Sequence, residues 1–196
     1  MRLQALSTDR LTLEPVALSH AAGLFPLFDD WEVLRWLSRP GWPARREEVE
    51  AFIARAARAN DAGAEAAAAI VIEGRAVGVV GLDQRRGAWN IGYWLGRPWW
   101  GRGLMTEAAQ RMVDWFFDAR DDLFLISGAV EGNAASLRIQ EKLGFAVVGE
   151  SMIESRPRGR RVGHIDTMLG RECWRSAHAQ AAETALTPPL SGTAPG

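Results

Sequence analysis

The stretch "IGYWLGRPWWGRGLMTEAAQRMVDWFF", Ile91 to Phe117, constrains the fold most, because it runs from a strand into a helix through the turn Gly101-Arg102-Gly103. From Gly103 onward, Leu104, Ala108, Met112, Trp115 and Phe116 recur every three or four residues, so the helix is amphipathic and must lie on a sheet. A helix start leaves about four N–H groups unpartnered and carries about half a positive charge, and a phosphate ester satisfies both. Gly101 and Gly103 remove Cβ atoms where an anion must approach the backbone, and Arg102 adds positive charge. No Gly-Lys-Ser/Thr follows, and Thr106 occupies the third glycine position of the dinucleotide fingerprint, so neither nucleotide motif is complete. A glycine connection that binds nothing is the alternative for these three residues alone.

The rest of the chain alternates short strands with helices. "DRLTLEPV" has the period of a half-buried strand. "SHAAGLFPLFDDWEVLRWL" and "PARREEVEAFIARAARAN" have helical spacing, the second through Val49, Phe52, Ile53 and Ala56. "AAAAIVIEG" and "AVGVVGLDQ" read as a hairpin around Gly74-Arg75, and "AWNIGYWLG" as the next, fourth strand. After the amphipathic helix come a fifth strand, "LFLISGAV", and the helix "NAASLRIQEKLG", with Asn133 at its N-cap and Gly144 past its end. "FAVVGESMI" and "RVGHIDTMLG" supply two more strands. The order predicts a mixed α/β layer.

Bulk properties bound the function. With 196 residues, 47% of them hydrophobic, one domain over residues 1–175 is expected, followed by a flexible tail over 176–196 that ends in "TALTPPLSGTAPG". Lys and Arg number 23 against 24 Asp and Glu, so the net charge of −1 makes nucleic acid an unfavoured partner. The single cysteine, Cys173, excludes an intramolecular disulfide and a multi-thiolate metal site, and is expected to be a small buried or half-buried side chain. His20, His164 and His178 are too scattered for a metal set, so no metal is expected. The start of the chain has no signal-like apolar run, and no segment reaches the roughly 18 apolar residues of a membrane span, which predicts a soluble cytoplasmic protein without a membrane partner.

Four segments in order, "TDRLTLEP", "IGYWLGRPWWGRGLMTEA", "NAASLRIQEKLGF" and "GHIDTMLGRECW", resemble the GNAT N-acetyltransferases, in particular the RimJ/RimL-type branch that acetylates protein α-amino groups. The resemblance runs from about Asp9 to Trp174. It implies a mostly antiparallel sheet of about seven strands with helices on both faces, and acetyl-CoA held as cosubstrate in a V-shaped gap between the fourth and fifth strands. It also implies that the amides of Gly101, Arg102, Gly103, Leu104, Met105 and Thr106 cradle the pyrophosphate, while the strand edge at Trp94 and Leu95 pairs with the pantetheine arm. Many members begin the turn with Gln or Arg; Trp100 stands there in this chain. Asn133 and Ser136 match the branch's Asn-x-x-Ser, whose side chains face the pantetheine and sulfur, although Asn133 also reads as a plain N-cap.

Acetyl transfer to an amine needs a neutral amine, a donor for the developing oxyanion and a proton for the thiolate. Under the resemblance the backbone N–H of Leu95 is the oxyanion donor. Relatives carry a tyrosine in a "YEKLGF"-like sequence, but this chain reads "QEKLGF" with Gln140 in that place, which leaves the Ser136 hydroxyl as the proton source. A Ser136 that only bonds its own helix is the competing reading. Glu150 and Glu154 are candidate bases, against the alternative of ordinary exposed carboxylates; the Glu that often precedes "IGY" is here Asn90.

On the acceptor side Trp31, Trp36 and Trp42, with Tyr93, are candidates for lining the pocket, the tryptophans competing with a core-packing role. Arg156, Arg158, Arg160 and Arg161 fall in a turn and read as solvated surface. The favoured acceptor is a protein N-terminal α-amino group. The alternatives are a small amine (aminoglycoside, polyamine or amino acid) or a non-catalytic acyl-CoA-binding module, and monomer and homodimer are equally allowed.

Overall fold

The computed structural model describes residues 2–85 and 87–186. Strands β1 (Leu6–Ser7), β2 (Thr12–Pro15), β3 (Ala66–Ile72), β4 (Arg75–Arg85), β5 (Ala88–Leu95), β6 (Phe124–Val130), β7 (Ala146–Ser155) and β8 (Arg160–Gly170) form one sheet. Their order is β1-β2-β3-β4-β5-β6-β8-β7, and every pairing is antiparallel except β5 with β6. The eighth strand, beyond the about seven expected, is β1, a two-residue piece paired through Leu6 and Leu13. Two residues are too few for alternation to reveal.

Helices α1 (Ala21–Phe28), α2 (Trp31–Leu34) and α3 (Arg46–Ala62) precede the main sheet; α4 (Leu104–Ala119), α5 (Ala134–Lys142) and α6 (Arg171–Leu186) follow. Helix α4 buries Leu104, Ala108, Met112 and Phe116 against Ala68, Ile70, Val80, Leu82 and Ile91, and Trp115 packs at the margin. On the opposite face α1 and α3 bury Leu24, Val49, Ile53 and Ala56 against Ala67 and Val79. Phe52, read with the apolar stripe of α3, is instead exposed, with the Arg55 guanidinium 5.4 Å from its ring centre.

Helix α6 crosses the expected domain end at residue 175, and the expected tail beyond residue 186 lies outside the described residues. At its start the buried Arg171 donates to the carbonyls of Phe117 and Asp122, each at 2.9 Å, and also to that of Arg120. It thereby serves carbonyls at and beyond the end of α4 that have no helical partner. Cys173, in the first turn of α6, is exposed, correcting the expected burial.

The sheet divides in its middle. Strand β6 pairs with β8 from Phe124–Gly170 to Val130–His164, but with β5 only at Asn90–Ile126. Beyond that pair the ladder partners are taken by side chains: Ser127 Oγ donates to Ile91 O at 3.0 Å, and Gln140 Nε2 donates to Gly128 O at 3.0 Å. With those carbonyls occupied, β5 and β6 part.

Candidate active site

The gap is lined on one side by a free strand edge. The Gly96 N–H donates to Val77 O in β4 at 2.8 Å, so by alternation the main-chain groups of Trp94 also face β4, whereas those of Tyr93 and Leu95 face the gap. This corrects the expectation for Trp94, whose amide is committed to the sheet; its indole lies on the α1 side, 4.8 Å from the Phe28 ring. The Leu95 carbonyl accepts from Trp100 Nε1 at 2.7 Å, and its N–H points into the gap.

The glycine turn follows directly. Gly101 and Gly103 have φ of 74° and 73°, the left-handed region that side chains disfavour. Gly103 is the N-cap of α4 and offers no side chain to its amides, so the first-turn N–H groups after it have no cap. Arg102 is exposed, its guanidinium 5.4 Å from the Trp99 ring centre. The turn is fixed from behind: Arg10 donates to Arg102 O at 2.9 Å and to Glu107 Oε2 at 2.6 Å, and Thr8 Oγ1 donates to Glu107 Oε1 at 2.5 Å. Burial pushes the Glu107 carboxyl up, but the Thr8 hydroxyl and the Arg10 groups together outweigh it and hold the carboxyl below its ordinary range.

Behind the gap, on the α4 and α5 side of the sheet, four polar side chains meet. Tyr93 Oη lies 3.2 Å from Ser136 Oγ and 3.3 Å from Ser136 O. The buried Gln140 donates through Nε2 to Ser136 Oγ at 3.1 Å, while its Oε1 accepts from Thr167 Oγ1 at 2.7 Å. The Gly128 carbonyl, which can only accept from Nε2, fixes which way the amide points. Ser136 Oγ therefore accepts from Gln140 and keeps its own proton free to give. Burial raises the pKa of the Tyr93 phenol, and its bonds to Ser136 and Gln140 only partly offset this, so the phenol stays protonated. Asn133 Oδ1 accepts from Ser136 N at 3.2 Å, which is the N-cap geometry. Tyr93, expected on the acceptor side, also lines a cavity on the other face of the sheet; its meeting with Gln140, which the sequence gave no role, depends on strand pairing and not on spacing.

On the other face a cavity of about 620 Å³ opens between α3 and the sheet. Leu37, Phe28, Phe52 and Trp94 line it, and Gly81 and Gly92, paired across β4 and β5, form a floor without side chains. Trp31, Trp36 and Trp42 are not among its lining residues. Trp31 and Trp42 pack on each other at 5.5 Å, and the Trp36 ring has Arg35 at 4.5 Å and Arg158 at 5.2 Å. Two arginines read as solvated are clamps: Arg158 donates to Arg35 O at 2.8 Å and Arg156 to Arg39 O at 2.9 Å, holding the loop that carries Leu37 to Pro40 over the cavity.

The carboxylates are distributed differently from the expectation. Glu150 and Glu154 are exposed on β7, the outer strand, which β8 separates from β6, and Glu154 pairs with Arg161 at 3.6 Å. Neither is brought to the Tyr93–Ser136 cluster. Beside Asn90, in the next strand, stands Asp83, which accepts from Asn90 Nδ2 at 3.0 Å and pairs with Arg39 at 2.9 Å and Arg85 at 3.1 Å. Among the described residues no group of three or more His, Cys, Asp or Glu could hold a metal ion, and no helix is long and apolar enough to cross a membrane.

Residues 10–146 match the family model described as the acetyltransferase (GNAT) domain. The uncharacterized N-acetyltransferase p20 of Bacillus licheniformis is 28% identical over 183 residues, which cover 87% of this chain and 98% of that protein. Among solved structures, the ribosomal-protein-S5-alanine acetyltransferase of Vibrio fischeri superposes with a TM-score of 0.75 at 19% identity, covering 88% of this chain and 99% of its own. RimL, a ribosomal L7/L12 α-N-protein acetyltransferase in complex with coenzyme A, gives 0.76 at 18% identity over 85% of this chain and 98% of its own. At these identities the likeness of the two structures is one of fold.

Proposed function

The chain belongs to the acetyltransferase (GNAT) family, and from that premise we propose that this acyltransferase moves the acetyl group of acetyl-CoA to a protein N-terminal α-amino group. The observation that carries the reading is the parted β5–β6 edge with the Tyr93 and Ser136 hydroxyls behind it. Acetyl-CoA fits what the chain presents: uncapped amides from Gly101 to Thr106 for the diphosphate, and the gap-facing main chain of Tyr93 and Leu95 for the pantetheine. Asn133 orients Ser136 through the α5 cap.

In the reaction the amine lone pair forms the C–N bond, and the C–S bond breaks. The Leu95 N–H stabilises charge on the carbonyl oxygen, the thiolate takes a proton from the Ser136 hydroxyl, which Tyr93 replenishes across their shared hydrogen bond, and the proton shed by the attacking nitrogen restores the phenol. An α-amino group suits such a site, since freeing it of its proton at pH 7 costs about 1 kcal/mol, against roughly 4–5 kcal/mol for a lysine.

A second reading, a small-molecule amine acceptor, is favoured by the 620 Å³ cavity, a size typical of small-ligand sites. Release of free CoA from acetyl-CoA, measured with hexapeptides of varied first residue and with small primary amines, separates the two. Turnover confined to small amines would exclude the N-terminal acceptor, and no turnover on any amine would overturn the transferase reading.

A further inference from the structure

His164 lies on β8 opposite Val130, with β6 between its strand and the parted gap, and its ring reaches back over Gly128 of β6. Strand alternation decides which face it serves. Leu125 and Leu169 are cross-strand partners in the α4 core, so Ser127 and Thr167 share that face, and Gly128, His164 and Asp166 lie on the opposite one. Through the Asn90–Ile126 pair this is the face of Gly92 and Trp94, which line the cavity, whereas Gly128, His164 and Asp166 stand outside its lining. The Tyr93 and Ser136 hydroxyls are thus on one side of the gap and the imidazole of His164 on the other.

Gly128 makes the placement possible. A Cβ there would run into His164 Cε1 and sit 2.9 Å from Nε2, so the ring occupies the space that any side chain at this position would fill. Gly128 is also level with Gly92, two residues past the registered pair, and a Cβ on Gly92 would meet nothing closer than 3.9 Å. The mouth of the gap on this face is bordered by two glycines, leaving room for an incoming amine beside the ring.

The ring is held by one carboxylate. Nδ1 lies 2.8 Å from Asp166 Oδ1, which also accepts from Ser151 Oγ at 3.1 Å. When the carboxylate is ionised and the ring neutral, Nδ1 carries the hydrogen towards Asp166 and Nε2 presents its lone pair. Of the charged groups on neighbouring segments, Glu131 packs on Gly163, which by alternation presents the other face of β8, and Arg35 and Arg158 flank Trp36, whose ring reaches Gly132.

We propose that His164, oriented by Asp166 and Ser151, is the catalytic base that takes a proton from the acceptor ammonium before attack. One ammonium proton goes to Nε2 and on to solvent and the freed lone pair forms the C–N bond; as the C–S bond breaks the thiolate takes the Ser136 proton, Tyr93 replenishes it, and the second N–H proton restores the phenol, leaving CoA thiol and the amide. The inference rests on the transferase reading and replaces Glu150 and Glu154 as the source of base catalysis.

The test is kcat/KM against pH for the full chain and its H164N and D166N variants, with acetyl-CoA and the best hexapeptide or amine of the panel, together with CoA binding by calorimetry. Expected for H164N is a loss of about 100-fold at pH 7 with the acidic limb of the profile abolished, and a CoA Kd within about twofold of wild type. Long-range proton–nitrogen NMR of the wild-type protein is expected to show Nε2 unprotonated at high pH, and D166N to mix the tautomers. Wild-type turnover with an equally active H164N, or an Nε2–H tautomer, overturns the base assignment alone. A wild-type enzyme inert on every amine overturns the transferase reading and this assignment with it.

Discussion

Tyr93 Oη and Ser136 Oγ, 43 residues apart in the chain, lie 3.2 Å from each other, joining β5 to α5 across the place where the sheet divides. Neither residue sits where family resemblance would look for a tyrosine; Gln140 holds that position and touches both. The chain keeps a phenol at the gap by supplying it from the strand instead of the helix. Ser136→Ala should lower kcat by about 100-fold with the acetyl-CoA KM little changed, and Tyr93→Phe by about tenfold. A double variant no slower than Ser136→Ala is expected, because the two hydroxyls act as one relay. Steady-state kinetics on all three variants checks this, and fully multiplicative losses would separate the residues.

The left-handed turn is a second point of attack. A side chain at Gly101 or Gly103 strains the backbone by about 1–2 kcal/mol, and at Gly103 it also meets Arg10 Nη2 at 3.5 Å. Gly103→Val should weaken CoA binding at least about tenfold in titration calorimetry. Unchanged affinity would remove the turn from the binding site.

Glu107 gives a dependence on pH. Its folded pKa lies below the unfolded one, so its contribution to stability is present above the unfolded pKa of about 4.3 and is lost as pH falls through the folded value. Urea unfolding at pH 7 and at pH 3 should therefore show a smaller drop for Glu107→Gln than for wild type. An equal drop in both proteins would contradict the Thr8–Arg10 arrangement.

Arg171 links the start of α6 to the end of α4. Arg171→Met leaves the carbonyls of Phe117, Arg120 and Asp122 without their donor, which should cost about 3 kcal/mol. For a domain of this size that lowers Tm by roughly 6–12 °C. Calorimetric melting of the variant checks it, and a change below about 2 °C would mean that water replaces the guanidinium.

Freeing the loop over the cavity should affect the acceptor and not the donor. Arg158→Ala removes the bond to Arg35 O and one face of the Trp36 stack. The acceptor KM is expected to rise by about threefold to tenfold while the acetyl-CoA KM holds, consistent with roughly 1 kcal/mol for such contacts. Equal changes in both KM values would place the clamp outside the acceptor side.

Periodicity and turn chemistry were enough to read every long strand, the amphipathic α4, the Asn133 cap and the Gly101–Gly103 turn, because each depends on residues within a few positions of one another. They also bounded the chemistry, since a turn that presents bare amides suits a phosphate whatever surrounds it. Only the tertiary structure brought Tyr93 to Ser136, laid His164 over Gly128, turned Arg156 and Arg158 into clamps and set Glu150 and Glu154 on an outer edge. Those relationships come from strand order and from the face each side chain takes in the sheet. A one-residue change of register reverses the face, so spacing along the chain carries no record of them until the strands have paired.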